Sequence, residues 1–145
     1  MNFRRIATAF FAIALLATQS SCGSQSAAAE VYTYNCDSSE IKPVEIVLTC
    51  ADAGMYIDHI KWDSWSANGA TGTALYNAND CDPYCAAGKM VTKKVQVILN
   101  QKYTYKGKQY LRNLVITSTD GSDLPGLTSS TYTHDVMEYI LGMDG

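Results

Sequence analysis

The residues of this chain with the widest chemical range are its five cysteines, Cys22, Cys36, Cys50, Cys81 and Cys85. Cysteines can form disulfides, bind zinc or act as nucleophiles. Cys81 and Cys85 are four apart, a spacing that zinc sites permit, but no second metal-spaced pair accompanies them. Processing at Cys22 would leave an even set of four, which suits two disulfides in an oxidising compartment. We therefore predict that Cys36, Cys50, Cys81 and Cys85 are oxidised and hold no metal.

The pairing of these cysteines has three solutions. If residues 31–35 and 43–50 form a hairpin, Cys36 and Cys50 lie at opposite ends of it, roughly 23 Å apart. A disulfide needs Cα atoms closer than about 7 Å. We therefore prefer Cys50 paired to Cys81 or Cys85, with Cys36 taking the other. The sequential pairing, Cys36–Cys50 with Cys81–Cys85, stays open if the first segment is not hairpinned to the second.

Catalytic chemistry would need a histidine near a nucleophile. His59 follows Asp58 on a predicted strand and His134 lies near a predicted helix start, and no Gly-x-Ser-x-Gly motif is present. We predict surface histidines, no catalytic residue and no cofactor, so the chain is not expected to be an enzyme. The acidic residues of the loops and strands lack the spacing of an EF-hand: Asp52, Asp58, Asp80 and Asp82.

Charge is segregated along the chain. Residues 83–119 contain seven Lys or Arg and no acid, whereas residues 30–82 contain nine acids and two Lys. A basic hairpin can contact a cell-wall polymer, an anionic lipid or an acidic protein partner, and its candidate residues are Lys93, Lys94, Lys106, Lys108 and Arg112. The favoured alternative is that acids on adjacent strands neutralise it. The net charge of −3 and the predicted export argue against nucleic acid.

Two tryptophans offer a further candidate surface. Trp62 and Trp65 are three residues apart, so a regular strand would place them on opposite faces, and a bulge at Asp63–Ser64 would bring them together. Paired rings can stack on sugars, and Trp65 is the binding candidate. However, every Phe lies before residue 12, so the core needs these rings, and we favour a core role for both.

The first 21 residues have the form of a secretory signal peptide. Arg4 and Arg5 precede an uncharged, mainly apolar run over residues 6–17, which is too short to span a bilayer. Cleavage before Cys22 would resemble bacterial lipoprotein processing, with Cys22 acylated and residues 22–30 as a tether, although Gln19 replaces the usual aliphatic residue. Cleavage after Ala29 is the alternative. We predict an extracellular protein, lipid-anchored or freely secreted, with no transmembrane helix.

The remaining residues, 31–145, are predicted to form one disulfide-stabilised β domain. Alternation of apolar and polar residues predicts strands over 31–35, 43–50, 56–62, 71–76, 91–105 and 108–119. The last two form a hairpin turning at residues 106–108, and residues 77–88 form a loop.

The C-terminal segment predicts one short helix over residues 133–141, capped by Thr133 and ended by Gly142. The fold class is mainly β, a small antiparallel β-sandwich or barrel-like domain. An open single sheet with the helix packed across it is the alternative.

Residues 48–88 also carry a distinctive order of motifs. It comprises Leu-Thr-Cys-Ala-Asp from Leu48, Trp-x-x-Trp from Trp62, Ala-x-Gly from Ala70 and Asn-Asp-Cys-Asp-Pro-Tyr-Cys-Ala-Ala-Gly from Asn79. This pattern resembles a group of small exported proteins of mycobacteria, streptomycetes and other actinobacteria. The resemblance implies source and location and gives no mechanism. Residues 32–36 are also similar to a strand of periplasmic lysozyme-inhibitor lipoproteins.

Together these patterns predict an exported, non-enzymatic domain that binds a cell-envelope component or a protein partner. One alternative is a small enzyme acting on envelope material, which would need a concave pocket that collects His59 with acids. A second alternative is a lysozyme-inhibitor-like surface protein.

Overall fold

β-branched and aromatic residues alternating with polar ones build strands along most of the chain. The structure is a computed structural model that describes residues 30–143. The predicted signal peptide over residues 1–21, Cys22 and the tether up to residue 29 lie outside the described residues. The elements are β1 (Val31–Asn35), β2 (Ser38–Glu40), β3 (Ile46–Val47), β4 (Met55–Ser66), β5 (Gly69–Asn79), β6 (Met90–Tyr105), β7 (Lys108–Ser118), β8 (Thr131–Asp135) and α1 (Glu138–Met143).

These strands form one eight-stranded sheet in the order β2-β1-β7-β6-β5-β4-β3, with β8 also paired to β7. All pairs are antiparallel except β1 with β7. β1 pairs with the start of β7 and β8 with its end, so they follow one another along the same edge. The sheet curls into a half-barrel, which confirms the mainly β, barrel-like class with one short C-terminal helix.

The inner face of the curled sheet carries the core. Alternate residues of the long central strands are almost wholly buried, as period-two alternation predicts, and they include Tyr76, Val95, Val97, Leu99, Leu114 and Ile116. The register opposes Val97 to Ile116 and Leu99 to Leu114, which confirms the predicted hairpin. Lys106 and Gly107 form its two-residue turn, both with positive φ, as a type I′ turn requires.

The two tryptophans lie on the same face because β4 is irregular. The register of β4 against β5 shifts between Trp62 and Ser64, as the predicted bulge requires. The rings meet edge to face with centroids 4.8 Å apart, and both pack against the core. The indole N–H of Trp62 donates to the carbonyl of Pro43, and that of Trp65 donates to the carbonyl of Val31. The bulge therefore lets both rings share one face, from which the Trp65 side chain reaches β1 across the open side of the half-barrel.

The open side of the half-barrel, between β1 and β3, is closed by side chains, and we call this region the seam. Asn35 takes the place of a neighbouring strand, since its Oδ1 accepts from the Val47 amide at 2.9 Å and its Nδ2 donates to the Glu45 carbonyl at 3.2 Å. A disulfide joins Cys36 to Cys50 with their Cα atoms 5.5 Å apart. The seam thus joins strands that share no backbone ladder.

The second disulfide joins Cys81 to Cys85, so the preferred pairing of Cys50 with Cys81 or Cys85 is wrong and the sequential pairing is correct. The distance argument failed because β1 pairs with β2 and β7 rather than forming a hairpin with residues 43–50. That segment is a strand only over Ile46–Val47, and Val44 is 73% exposed instead of facing the core.

The C-terminal segment also differs from its prediction. Residues 131–135 form β8, so the first three residues of the predicted helix, 133–135, are strand; the edge of β7 beyond its pairing with β1 is free to accept them. The helix begins at Glu138, so Thr133 is not its cap; the Asp135 carboxylate instead accepts from the Met137 amide at 3.0 Å. Gly142 lies within α1 rather than ending it. Within residues 30–143, no helix is long and apolar enough to cross a membrane.

Candidate functional site: the β6–β7 hairpin tip

The β6–β7 hairpin extends past the rest of the sheet. β6 pairs with β5 only as far as Leu99, whereas its pairing with β7 continues to Tyr105 and Lys108 at the turn. On the other side, β1 supports this region by pairing Val31 with Gln109. The end of the hairpin, residues 100–112, therefore overhangs, and we call it the hairpin tip.

A cluster of four tyrosines stiffens the base of the tip: Tyr32, Tyr34, Tyr105 and Tyr110. Tyr34 stacks on Tyr110 with ring centroids 5.2 Å apart, and the other pairs lie between 5.9 and 6.2 Å. Such ring pairs stabilise by about 0.5–1.5 kcal/mol beyond their burial. Burial, and then the neighbouring phenols, raise the pKa of Tyr34. The Tyr34 phenol therefore stays neutral at physiological pH.

Two lysines lie on the faces of these rings. The ammonium of Lys106 is 4.8 Å from the centroid of Tyr105, and that of Lys108 is 4.8 Å from the centroid of Tyr32. Both distances fall within the range of cation–π attraction. Both lysine side chains are exposed at the turn. The cluster consequently holds positive charge at the end of the hairpin.

The other basic candidates divide into paired and unpaired groups. Arg112 is paired, since its Nε donates to the Asp135 carboxylate at 2.7 Å while its guanidinium lies over Tyr103. Burial acts to raise the pKa of Asp135, but the hydrogen bonds from Arg112 and the Met137 amide hold it below its ordinary value. Arg112 therefore serves the β7–β8 junction more than an external ligand.

Lys93 is also held within the fold. Its ammonium donates to the Asp123 carbonyl at 2.9 Å and to the Ser122 hydroxyl, and lies 3.5 Å from the Asp120 carboxylate. Hydrogen bonds from Ser118 and Ser122 keep the pKa of Asp120 well below its ordinary value. Lys93 thus holds the segment after β7 in place, and its ammonium group is already engaged by that segment rather than available to a partner.

The prediction that adjacent acidic strands neutralise the basic segment holds for Arg112, whose partner lies on β8, and fails for Lys94 and Lys102 of β6; Lys93 of β6 pairs with Asp120, which follows β7. The residues opposite the lysines of β6 are uncharged: Tyr76 opposite Lys93, Leu75 opposite Lys94 and Leu111 opposite Lys102. In the part of the chain that is described, no carboxylate lies within ion-pair distance of Lys94, Lys102 or Lys108. Positive charge therefore remains at the tip and on the outer face of the sheet.

Trp65 lies at the same end of the fold but is not a free platform. It is half-buried, with one ring edge against Trp62 and its N–H committed to the Val31 carbonyl. This placement agrees with the core role that was favoured from the sequence. The tyrosine cluster was not predicted from the sequence, because Tyr32 and Tyr110 are far apart in the chain.

The two histidines lie in different surroundings. His59 is exposed, with Nδ1 3.1 Å from its neighbour Asp58. His134 stacks on Tyr132, and burial lowers its pKa. Cys81 and Cys85 are joined to each other, and no cluster of three or more His, Cys, Asp or Glu side chains within residues 30–143 could hold a metal ion.

A depression of about 460 Å³ lies along the seam between residues 47–52 and the β8–α1 segment. Asp52, His134, Glu138 and Tyr139 line it together with the Cys36–Cys50 disulfide. It collects acids and one histidine, whereas His59 lines two other depressions, one of which, of about 260 Å³, also contains Glu45 and Asp58.

The comparisons with known proteins add no assignment. A scan against protein-family models found no match, and neither did searches of curated proteins and of solved structures. The resemblance to small exported actinobacterial proteins therefore stays a prediction.

Proposed function

We propose that this chain is an exported, non-enzymatic binding domain that contacts an anionic polymer of the cell envelope through the hairpin tip. The observation that carries the proposal is the pair of ammonium groups, of Lys106 and Lys108, held over tyrosine rings at an overhanging end of the sheet. Ordered cations bind anions with less loss of side-chain entropy than mobile ones.

Export is supported by two lines of reasoning. The protein has two disulfides. Disulfides persist in oxidising compartments and are rare in the cytosol. The basic start and short apolar run of residues 1–21 match a secretory signal peptide. Cys22 is the proposed site of acylation if the protein is anchored rather than released.

A polymer suits the tip better than a small ligand does. The tip is the end of a hairpin that extends past β5, whereas small molecules bind in concave pockets. Repeated anionic groups on a flexible chain can engage Lys102, Lys106 and Lys108 together, and linked contacts raise apparent affinity without any new pocket. The same chemistry occurs on anionic lipid surfaces, so the test includes both.

Binding is to be measured at low salt with three probes: poly(glycerol phosphate), vesicles containing an anionic phospholipid, and neutral dextran. The variant Lys106→Gln/Lys108→Gln removes two charges, each contributing about 1 kcal/mol near an anionic surface. We expect its affinity for poly(glycerol phosphate) to fall about 30-fold. Rising salt should weaken wild-type binding, because exposed charges are screened.

The matched control is Lys42→Gln/Lys89→Gln, which removes the same charge from two exposed lysines outside the tip. It should bind within about twofold of the wild type. Equal loss in both variants would mean that net charge alone governs binding, and no binding of any anionic probe would refute the proposal. Tighter binding to the vesicles than to the polymer would mean that the hairpin tip contacts a lipid surface instead.

A further inference from the structure

The register of β4 shifts at a second place besides Trp62 and Ser64. A depression lined by basic side chains lies there on the outer face of the sheet, apart from the hairpin tip. Between Asp58 and Lys61 two residues of β4 oppose one residue of β5, which defines a β-bulge. His59 takes φ of +51° there, and its side chain points to solvent. Gly72 allows the close approach, since a Cβ at this position would lie 2.4 Å from the Lys61 carbonyl oxygen. Residues of both β4 and β5 therefore accommodate the bulge.

The bulge opens a depression of about 450 Å³ with two kinds of lining. Its apolar lining on the outer face comes from the half-buried Leu75, since Ala74 is almost wholly buried in the core, and His59, Lys61 and Lys94 also line it. An apolar surface beside positive charge fits a ligand with an apolar face and an anionic substituent. A sugar ring that bears a carboxylate or a sulfate has this form.

The two lysines flank the depression from opposite sides of β5. Lys61 lies beside Thr73, and Lys94 lies beside Leu75. Two strand spacings and one two-residue step place the lysine Cα atoms roughly 12 Å apart, so their long side chains can converge on one group between them. Among the described residues the nearby Asp58 carboxylate forms no ion pair with either lysine; its Oδ1 accepts from the Asn77 amide group at 3.1 Å and lies 3.1 Å from His59 Nδ1.

A row of hydrogen-bonding side chains runs across the sheet from this depression. The register aligns the outward-facing positions Thr73, Gln96, Thr117 and Thr131 on four neighbouring strands. Strands are about 4.8 Å apart, so hydroxyl and amide groups recur at that interval. Groups that both donate and accept hydrogen bonds suit the hydroxyls of a saccharide chain laid across the strands.

We propose that the depression at the β4 bulge is a binding site for an acidic saccharide, with its anionic group between Lys61 and Lys94 and its chain along the row from Thr73. The site is separate from the hairpin tip and does not depend on what the tip binds. The ligand class is set by its chemistry: an anionic substituent, one apolar ring face and several hydroxyls.

The test is a titration of the full processed domain with three probes: a galacturonic acid hexamer, a sulfated galactose hexamer and an uncharged galactose hexamer. Calorimetry gives the affinities, and amide chemical shifts locate the site. We expect at least one acidic hexamer to bind and to shift the amides of Lys61, Thr73 and Lys94. The variant Lys61→Gln/Lys94→Gln should lower that affinity about 10-fold.

The hairpin variant Lys106→Gln/Lys108→Gln serves as the control and should keep the affinity within about twofold. A difference between the two acidic hexamers identifies the carboxylate or the sulfate as the recognised group. Failure of both to bind, shifts mapped away from the bulge, or an unchanged affinity in Lys61→Gln/Lys94→Gln would each overturn the proposal. The midpoint of thermal unfolding is measured for each variant, and a midpoint equal to that of the wild type verifies that the fold is intact.

Discussion

Removing the two disulfides separately should destabilise the fold unequally. Cys36–Cys50 crosslinks β1 to the segment after β3, where the sheet has no backbone ladder, whereas Cys81–Cys85 closes a surface loop. The perturbations are the paired substitutions Cys36→Ser/Cys50→Ser and Cys81→Ser/Cys85→Ser. Each pair removes one crosslink and leaves no free thiol behind from it.

The loop lengths set the expected magnitudes. The cysteines are separated by 14 and by 4 positions, so the closed segments contain 15 and 5 residues when both cysteines are counted. In the chain-entropy model these loops contribute about 3 and about 2 kcal/mol. The first loss should be larger still, because Leu48, only 5% exposed, then lies on a segment with fewer attachments. Either loss is a large share of a typical stability of about 5–15 kcal/mol.

Urea unfolding followed by tryptophan fluorescence is a suitable assay, because Trp65 donates a hydrogen bond to β1 across the open side of the half-barrel and Trp62 donates one to the segment before β3. Hydrogen exchange then locates the effect. In Cys36→Ser/Cys50→Ser the amides of β1 and β3 should exchange faster, whereas Cys81→Ser/Cys85→Ser should affect mainly residues 80–89.

Two results would refute this reasoning. One is a loss of stability in Cys81→Ser/Cys85→Ser that equals or exceeds the loss in Cys36→Ser/Cys50→Ser. The other is a peptide map of the non-reduced protein that links Cys50 to Cys81 or Cys85, which would remove the crosslink from the seam altogether.

Two further predictions concern single side chains. Asn35→Leu should lower the free energy of unfolding by about 2 kcal/mol in urea titrations, because the Val47 amide loses its acceptor; Asn35→Asp keeps an acceptor and should lose less, and equal losses would contradict this role. Burial raises the pKa of Tyr76, whose hydroxyl donates to the Pro125 carbonyl, to about 12 from 10.0. The stabilisation that comes from the raised pKa of Tyr76 is therefore complete below pH 10 and is lost as the pH rises towards 12. Over that interval the free energy of unfolding of the wild type should fall by on the order of 2 kcal/mol more than that of Tyr76→Phe. Parallel falls in the two proteins would show that Tyr76 is not responsible.

Much of the strand content follows from local pattern. Val31–Asn35 is a strand as predicted, and the 91–105 and 108–119 hairpin has the predicted turn and register because Lys106-Gly107 and the alternating valines specify both locally. The tryptophan bulge also follows from spacing, since two large rings three apart can share a core only if the strand is irregular.

The candidate sites were only partly accessible from sequence. The excess of lysine in residues 83–119 is a property of composition, and the predicted turn at residues 106–108 places Lys106 and Lys108 at the end of the hairpin, as the structure has them. Which lysines keep their charge for a partner depended on contacts between distant segments. Lys93 is held by residues 120–123 and Arg112 by β8, and neither contact has a local signal.

Residue types and their period along the chain determined the strands, the β-hairpin and the oxidised state predicted for four cysteines, because each depends on short-range geometry or on compartment. Tertiary structure alone decided the disulfide pairing, the strand rather than helix conformation of residues 133–135, and the closure of the half-barrel by Asn35. The physical reason is that strand partners are chosen by which edges the rest of the sheet leaves free. That choice is global, and a single strand's sequence does not contain it.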